Sequence, residues 1–430
     1  MAANECLRGL SNGRQHLLNA ARGFMRDRHD SRSAPQRILR CFPITETNVC
    51  TPAPSTPLDF HSTLCQLIKT AKRRVYLASL YIGPAANPSS SPKELELLMA
   101  LQSTAAPHMK ILLDMNRALR PVPIINDDPN RNIEKVGGTI SSAEACFRTI
   151  ENKILQLNNL TELASEDNSG VYLFSVLPRW QQFFLPNPYN EVAGVFHLKC
   201  YIIDDDIILT GANLSEEYFC DRIDRYMWLT AKQQLQSGTN TTSNRDNNYN
   251  NLVEFYIKLI DNLCHHAEPY MPKNKQKSLY YPARTSKKDL LHNLVDLLTV
   301  KESAGVKETT TGCDLQNETS VDKNDESAVA YVVPTFQAPY GFFPVIHKKI
   351  PSDTKVVTNL IEAISDLSRK NTHSFQLRLA SAYLNLTDIM IEALGKCHRL
   401  GIHLLTAGYT SHGFKPNPKK IGNKDRKSVV

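Results

Sequence analysis

The sequence predicts an α/β fold: a mixed sheet flanked by helices, built as one complete copy followed by an incomplete second copy. Three observations lead there. Apolar runs of strand length alternate with amphipathic stretches of helical period between residues 57 and 263. The string Leu77-Ala-Ser-Leu-Tyr-Ile recurs as Leu379-Ala-Ser-Ala-Tyr-Leu, each time after a helical stretch. Between the two copies lies a polar, charged segment, residues 301–328, with almost no large apolar side chain to offset the entropy of ordering.

Residues 57–72 form the first helix, because Leu58, Phe60, Leu64, Leu67, Ile68 and Ala71 recur at helical spacing. Arg74 to Ile82, mostly apolar after its arginine, reads as a buried strand. Pro84 to Pro92 is a loop, Glu94 to Leu101 opens a helix, and Met109 to Asp114 is the next strand. Residues 141–165 read as a helix and 171–177 as a strand. Trp180 to Tyr189 is an apolar loop with prolines. Residues 236–251 are Ser-, Thr- and Asn-rich and read as an insert before an amphipathic helix carrying Leu252, Val253, Phe255, Tyr256, Leu259, Ile260 and Leu263. In the second copy a helix over Val357 to Leu367 precedes the repeated string, and Ile402 to Thr406 matches Lys110 to Asp114.

Composition narrows the function. The chain has 430 residues, 41% of them hydrophobic, enough for two domains with real cores. No apolar run is long enough for a transmembrane helix. The ten cysteines show no C-x-x-C pair, which argues against a zinc site or a disulfide framework and for a reducing compartment. The net charge is +7, yet residues 1–40 and 411–430 each carry +5, which leaves −3 for the chain between them. A nucleic-acid partner wants a basic face on the domain itself, so none is expected. Residues 1–40 hold eight arginines, no lysine and few acids, with Leu7, Leu10, Leu17, Leu18, Ala21 and Phe24 on one helical side. That is the pattern of a mitochondrial transit segment.

The chemistry concentrates in His197-Leu-Lys199-Cys-Tyr-Ile-Ile-Asp204, an H-x-K-x4-D string trailed by Gly211-Ala-Asn213-Leu-Ser215. Val195 to Ile203 alternates as a strand, which puts His197 and Lys199 on one face. With Asp204 to Asp206 as the loop, Ile207 to Asn213 returns so that Ile203 faces Ile207, Lys199 faces Gly211 and His197 faces Asn213. A neutral imidazole attacks phosphorus, an ammonium holds the phosphate oxygens, and an asparagine donates to them. Asp204 either orients a histidine or shapes the turn. His347-Lys-Lys349 begins the same way, but its aspartate, Asp353, comes one residue early and Pro351 spoils a strand. It reads as a solvated turn.

These motifs, with Ala78 to Gly83, Ile111 to Asp114, Asn190-Glu191, Tyr218-Phe219, Arg222, Asp224 to Tyr226 and Tyr383 to Thr387, resemble the phospholipase D superfamily. Within it they are most similar to the mitochondrial CDP-diacylglycerol–glycerol-3-phosphate phosphatidyltransferases, over about residues 56–408. The resemblance implies a phosphatidyltransferase of the cardiolipin pathway, peripheral on the mitochondrial inner membrane. Its substrates would be CDP-diacylglycerol and glycerol 3-phosphate, and it would need no cofactor and no metal. It implies His197, Lys199 and Asp204 as catalytic residues, with Asn213, Ser215, Gly211, Arg222 and Arg225 binding substrate. Trp180, Phe183, Phe184 and Leu185 would meet an anionic lipid surface or cap the core, and Arg117 and Arg120 would grip phosphates or stay solvated. Tyr81 to Pro84 lacks the pattern of a phosphate loop. The family carries a second H-x-K-x4-D that supplies the general acid, and this chain carries one motif. A truncated, non-catalytic variant and a single-motif dimeric phosphodiesterase or nuclease are the alternatives, and a phosphatidylserine synthase is a third.

The expected organisation is a transit-like segment over 1–40 and a first domain over 41–300 with its insert at 236–251. A disordered linker over 301–328, an incomplete second domain over 329–410 and a divergent basic tail over 411–430 follow.

Overall fold

Thr56 opens helix α1 (Pro57–Thr70) with a capping box. The Asp59 N–H donates to Thr56 Oγ1 at 3.1 Å, and the Thr56 N–H donates to Asp59 Oδ2 at 3.2 Å. Pro57 fits the first turn, where a missing N–H costs nothing. The helix buries Phe60, Leu64, Leu67 and Ile68, and ends where Ala71 turns extended. In this computed structural model the residues described are 17, 37–50, 53–126, 135–160, 169–176, 194–230, 244–272, 285–301, 328–335, 337, 352–370, 375–381, 386–397 and 400–406.

The chain forms two units. The larger is residues 31–334 with 338–350, and the smaller comprises 1–30, 335–337 and 351–430. In the larger, strands β1 (Arg37–Leu39) and β2 (Phe42–Thr45) come before α1, and β3 (Arg74–Ser79) follows it. Next come α2 (Pro92–Ser103), β4 (His108–Asp114), the short α3 (Met115–Ala118), the hairpin β5 (Val122–Asn126) and β6 (Lys135–Ile140), and α4 (Ser142–Leu160). After β7 (Gly170–Phe174) come β8 (Cys200–Ile203), β9 (Asp206–Thr210), α5 (Glu216–Cys220) and β10 (Tyr226–Leu229). The unit closes with α6 (Asn244–His266), β11 (Glu268–Pro269), α7 (Lys287–Leu298), β12 (Thr299–Lys301) and β13 (Ala328–Val332).

Seven strands make one mixed sheet in the order β10-β9-β8-β3-β4-β7-β11. The three middle links show the mixture. β3 runs parallel to β4 and antiparallel to β8, and β4 runs parallel to β7. Central strands covered on both faces favour apolar residues on both sides, and Val75 to Ser79 and Met109 to Asp114 are all buried, the polar Ser79, Lys110 and Asp114 among them. On one face Val75, Leu77, Ile111, Leu113, Tyr201 and Ile203 meet α1, α2 and α4 in a continuous core. Phe60 stacks on Tyr226 there, with centroids 4.6 Å apart, and its full burial contributes about 3 kcal/mol. On the other face α6 packs across β8, β3, β4 and β7. Lys110 reaches Asp261 of α6 at 2.6 Å while only 2% exposed. Burial is the largest influence and opposes that charge, but the Asp261 carboxylate with Tyr76 and Cys264 together outweigh it and raise the lysine pKa.

The expected fold class, a mixed sheet flanked by helices, is thus present. Several boundaries differ. Arg37–Leu39, expected at the end of the transit-like segment, pairs antiparallel with β12, so those residues belong to the folded unit. Helix α6 starts at Asn244, inside the expected insert of 236–251, so a polar Asn-rich turn extends a helix whose packing lies further along. Ala328–Val332 pairs with β2 in the larger unit, whereas the sequence begins the second domain at 329. Residues 302–327, Trp180 to Tyr189 and His347 lie outside the described residues.

The smaller unit repeats the α-β-α-β order with α8 (Asp353–Lys370), β14 (Phe375–Ser381), α9 (Asp388–Gly395) and β15 (Leu400–Thr406). β14 and β15 are parallel, as β3 and β4 are. Leu77 pairs with Ile111, and its repeat mate Leu379 pairs with Leu404. Matching the strings sets Ile111 against His403, whereas strand pairing sets it against Leu404, one residue further along.

Candidate active site

Three strand ends meet at one edge of the large unit. They are the carboxyl ends of β3 and β4 and the amino end of β8, which runs antiparallel to β3 with Ala78 opposite Cys200. In open α/β sheets ligands gather at the carboxyl ends of strands.

The motif strand is shorter than its alternation suggested. β8 begins at Cys200, so His197 and Lys199 sit on the irregular segment leading into it. The hairpin also has a different register. Ile203 pairs with Asp206 and Cys200 with Leu209, so the loop is two residues rather than three. The reason lies in Asp204, which adopts φ +55°, a conformation aspartate tolerates better than most residues. Its carboxylate accepts the backbone N–H groups of Lys72, Arg73 and Arg74, at 2.8 Å in the case of Arg73. Burial alone would raise its pKa, but these three donors outweigh it and hold the carboxyl below its ordinary value. Asp204 thus shapes the turn. The structure places it at the opposite end of β8 from His197.

Lys199 is 6% exposed, and its ammonium lies 2.8 Å from both ring nitrogens of His197. Burial lowers the lysine pKa to about 7; Asp224 opposes the shift and Arg117 adds to it. Burial, then Lys199 and Arg117, hold His197 down to about 4. His197 is nonetheless an exposed residue, and an exposed ring feels less desolvation, so the neighbouring cations carry more of that shift. On either weighting the imidazole is neutral at pH 7 and keeps a lone pair for phosphorus.

Around this pair the trailing motif folds back. Asn213 is 4% exposed, and its side-chain oxygen meets no hydrogen-bond partner. An amide end left open costs about 1–3 kcal/mol, which a bound polar group offsets. Ser215 starts α5, and its hydroxyl lies 3.4 Å from Tyr81 Oη. A Cβ on Gly211 would meet Asp224 Oδ2 at 2.7 Å, so glycine lets that carboxylate come close. Arg222 and Arg225 are not brought to the pair. Arg222 bonds Tyr218 Oη at 3.0 Å and Glu217 at 2.6 Å, and Arg225 is exposed with its N–H on Asp224.

Four further residues complete the geometry. Asp114, 1% exposed, accepts the Phe196 N–H on Oδ2 at 2.8 Å and the Arg117 N–H on Oδ1 at 2.9 Å. Arg117 lies over the Tyr81 ring, 5.5 Å from its centroid. Asp224 is the anion that opposes the lowering of Lys199. Their positions at or just beyond strand ends were the available signal. Beside Arg117, Arg120 has its pKa lowered by burial and then by Arg117. Among the described residues, no group of three or more His, Cys, Asp and Glu side chains is placed to hold a metal ion. Nor is any described helix long and apolar enough to cross a membrane.

Comparison with known proteins gives a consistent picture. No protein-family model matches the chain. It is 26% identical over 343 residues to a probable CDP-diacylglycerol–glycerol-3-phosphate 3-phosphatidyltransferase of Dictyostelium discoideum, covering 77% of this chain and 49% of that one. It is 32% identical over 185 residues to the mitochondrial enzyme of that name from Gallus gallus, covering 42% of this chain and 28% of the relative. The chain therefore spans about half the length of the first of these relatives and less of the second. A phosphatidylserine synthase structure from Haemophilus influenzae aligns over 89% of this chain and 67% of its own with TM-score 0.50 and 15% identity, a likeness of fold.

Proposed function

We propose that this chain transfers a phosphatidyl group from CDP-diacylglycerol to glycerol 3-phosphate, with His197 as the nucleophile and CMP as the leaving group. The observation that carries it is the neutral His197 ring beside the buried Lys199 ammonium, 2.8 Å away. His197 attacks the lipid phosphorus, Lys199 balances the charge that builds on the phosphoryl oxygens, and the buried Asn213 amide lies in the same trailing motif. The names of the relatives support the donor and the acceptor. A product of that kind feeds cardiolipin synthesis. A lipid substrate implies work at an anionic membrane surface, which this reading assigns to the inner mitochondrial membrane; the name of the mitochondrial relative supports the mitochondrion. No metal or other cofactor enters the reaction as proposed, and no nucleic acid is bound.

The test is incorporation of labelled glycerol 3-phosphate into lipid by the chain and by His197→Ala. Product from the chain and none from the variant is the expected result. Equal product from both removes His197 from the mechanism, and cleavage of DNA without lipid product replaces the reading with a nuclease.

A further inference from the structure

We propose that Arg117 is a catalytic residue of this site, the cation that receives the departing phosphate, so that a phosphate leaving group is expelled without a general acid. This rests on the transfer reading above. The case begins with the Asp114 carboxylate, which ties the two reacting regions together. One oxygen holds the N–H of Phe196, immediately before His197, and the other holds the N–H of Arg117. Arg117 is also aligned over Tyr81, whose hydroxyl lies 3.4 Å from Ser215. The guanidinium is thereby fixed to the same frame as the nucleophile, and it is close enough to disfavour positive charge on both His197 and Lys199.

Leaving-group chemistry supplies the rest. When a phosphodiester of two alcohols is cleaved, the leaving alkoxide is about as basic as hydroxide, with a conjugate-acid pKa of about 16, and needs a proton. CMP is different, because it departs as a phosphate monoester whose second pKa is about 6. At neutral pH it leaves stably as a dianion and needs only positive charge. In the step, the His197 lone pair forms the P–N bond and the bridging P–O bond breaks. Its electron pair goes to the CMP phosphate beside Arg117, and the imidazolium keeps the proton on its other nitrogen. Arginine suits this role because it stays charged at every working pH and can meet two phosphate oxygens at once. The large unit's own residues then carry the first half-reaction.

The experiment mixes the full chain with CDP-diacylglycerol in detergent micelles, without acceptor. It follows rapid CMP release and identifies the modified residue by mass spectrometry. Wild type should release about one CMP per chain and carry phosphatidyl on His197. Arg117→Gln should slow the burst by on the order of 100-fold, the usual effect of removing one transition-state donor. Arg117→Lys should recover part of it, and both variants keep the backbone N–H that Asp114 accepts, so their folds are checked by circular dichroism. Phosphatidylcholine, with an alkoxide leaving group, should not be cleaved. Phosphatidyl-His197 forming at the wild-type rate in Arg117→Gln overturns the proposal and leaves the transfer reading standing. Phosphatidylcholine cleaved as fast as CDP-diacylglycerol overturns it too, because an acid must then be present. Absence of any wild-type burst overturns the claim that these residues suffice. CMP release with the lipid on another side chain overturns the transfer reading instead.

Discussion

Glu94 and Glu216 cap each other's helices. Glu94 Oε1 accepts the Glu216 N–H at 3.0 Å, and Glu216 Oε2 accepts the Glu94 N–H at 3.3 Å and the Lys93 N–H at 2.9 Å. Glu94 Oε2 also takes the Ala85 N–H at 3.0 Å. This double cap binds α2 to the start of α5, next to Ser215, and it joins two stretches more than a hundred residues apart in sequence. Both oxygens of Glu94 accept, so Glu94→Gln must turn its NH2 toward a backbone N–H. A loss of about 1–3 kcal/mol is expected, read as a lower urea midpoint with unchanged slope. An unshifted midpoint would show that the clasp carries no stability. Gly83→Ala should behave similarly, since a Cβ there would overlap the Glu94 carboxyl group.

Such a clasp shows what the sequence conceals. The helices and central strands were legible because burial on both faces leaves apolar runs, as in Val75 to Ala78, and amphipathic stripes, as in Phe60 to Ile68. His197, Lys199, Gly211, Asn213 and Ser215 were legible because their chemistry sits in one short string. Glu94, Asp114 and Asp224 were not assigned roles, because their partners come from distant segments and no local pattern announces a carboxylate that accepts remote N–H groups. The hairpin register misled for a related reason. The turn length is set by three donors at residues 72–74, which the motif itself does not contain.

Asp204 should therefore separate stability from chemistry. Asp204→Ala leaves three backbone N–H groups without their carboxylate, at a cost of about 1.5–3 kcal/mol. In thermal unfolding its midpoint should fall, while kcat measured well below that midpoint stays near wild type. A collapse of kcat in a fully folded variant would place Asp204 in the chemistry. The sign of the pH effect follows from its folded pKa, which lies below the ordinary one. Its contribution is present above the ordinary carboxylate pKa and is lost as pH falls through the folded value. Asp204→Asn should therefore flatten the acid side of the wild-type stability curve.

Catalysis should follow a bell. Free His197 must be neutral, so activity rises with pH through about 4, and Lys199 must be charged, so activity falls through about 7. These limbs belong to kcat/KM, which reports the free enzyme. Asp224 supports the ammonium, so Asp224→Asn should move the alkaline limb to lower pH. Arg117 disfavours it, so Arg117→Gln should move the same limb to higher pH. Both limbs staying in place in both variants would remove Lys199 from the profile.

Asp114 offers the sharpest test of positioning, because it touches neither the His197 ring nor the Lys199 ammonium and yet holds the backbone beside each reacting group. Asparagine has one carbonyl oxygen where aspartate has two acceptors, so Asp114→Asn must release either Phe196 or Arg117 or turn a donor toward a donor. A shift of about 1 Å at a reacting group costs up to about 100-fold in rate, so kcat should fall by between 10- and 100-fold. Asp114 is not among the charges that set the His197 or Lys199 pKa, so the limbs near 4 and 7 should stay where they are. A merely structural carboxylate would lower the melting temperature and spare kcat in the cold. A folded Asp114→Asn chain with wild-type kcat would therefore break the link between the His197 segment and Arg117, because the shared carboxylate would no longer be what aligns them.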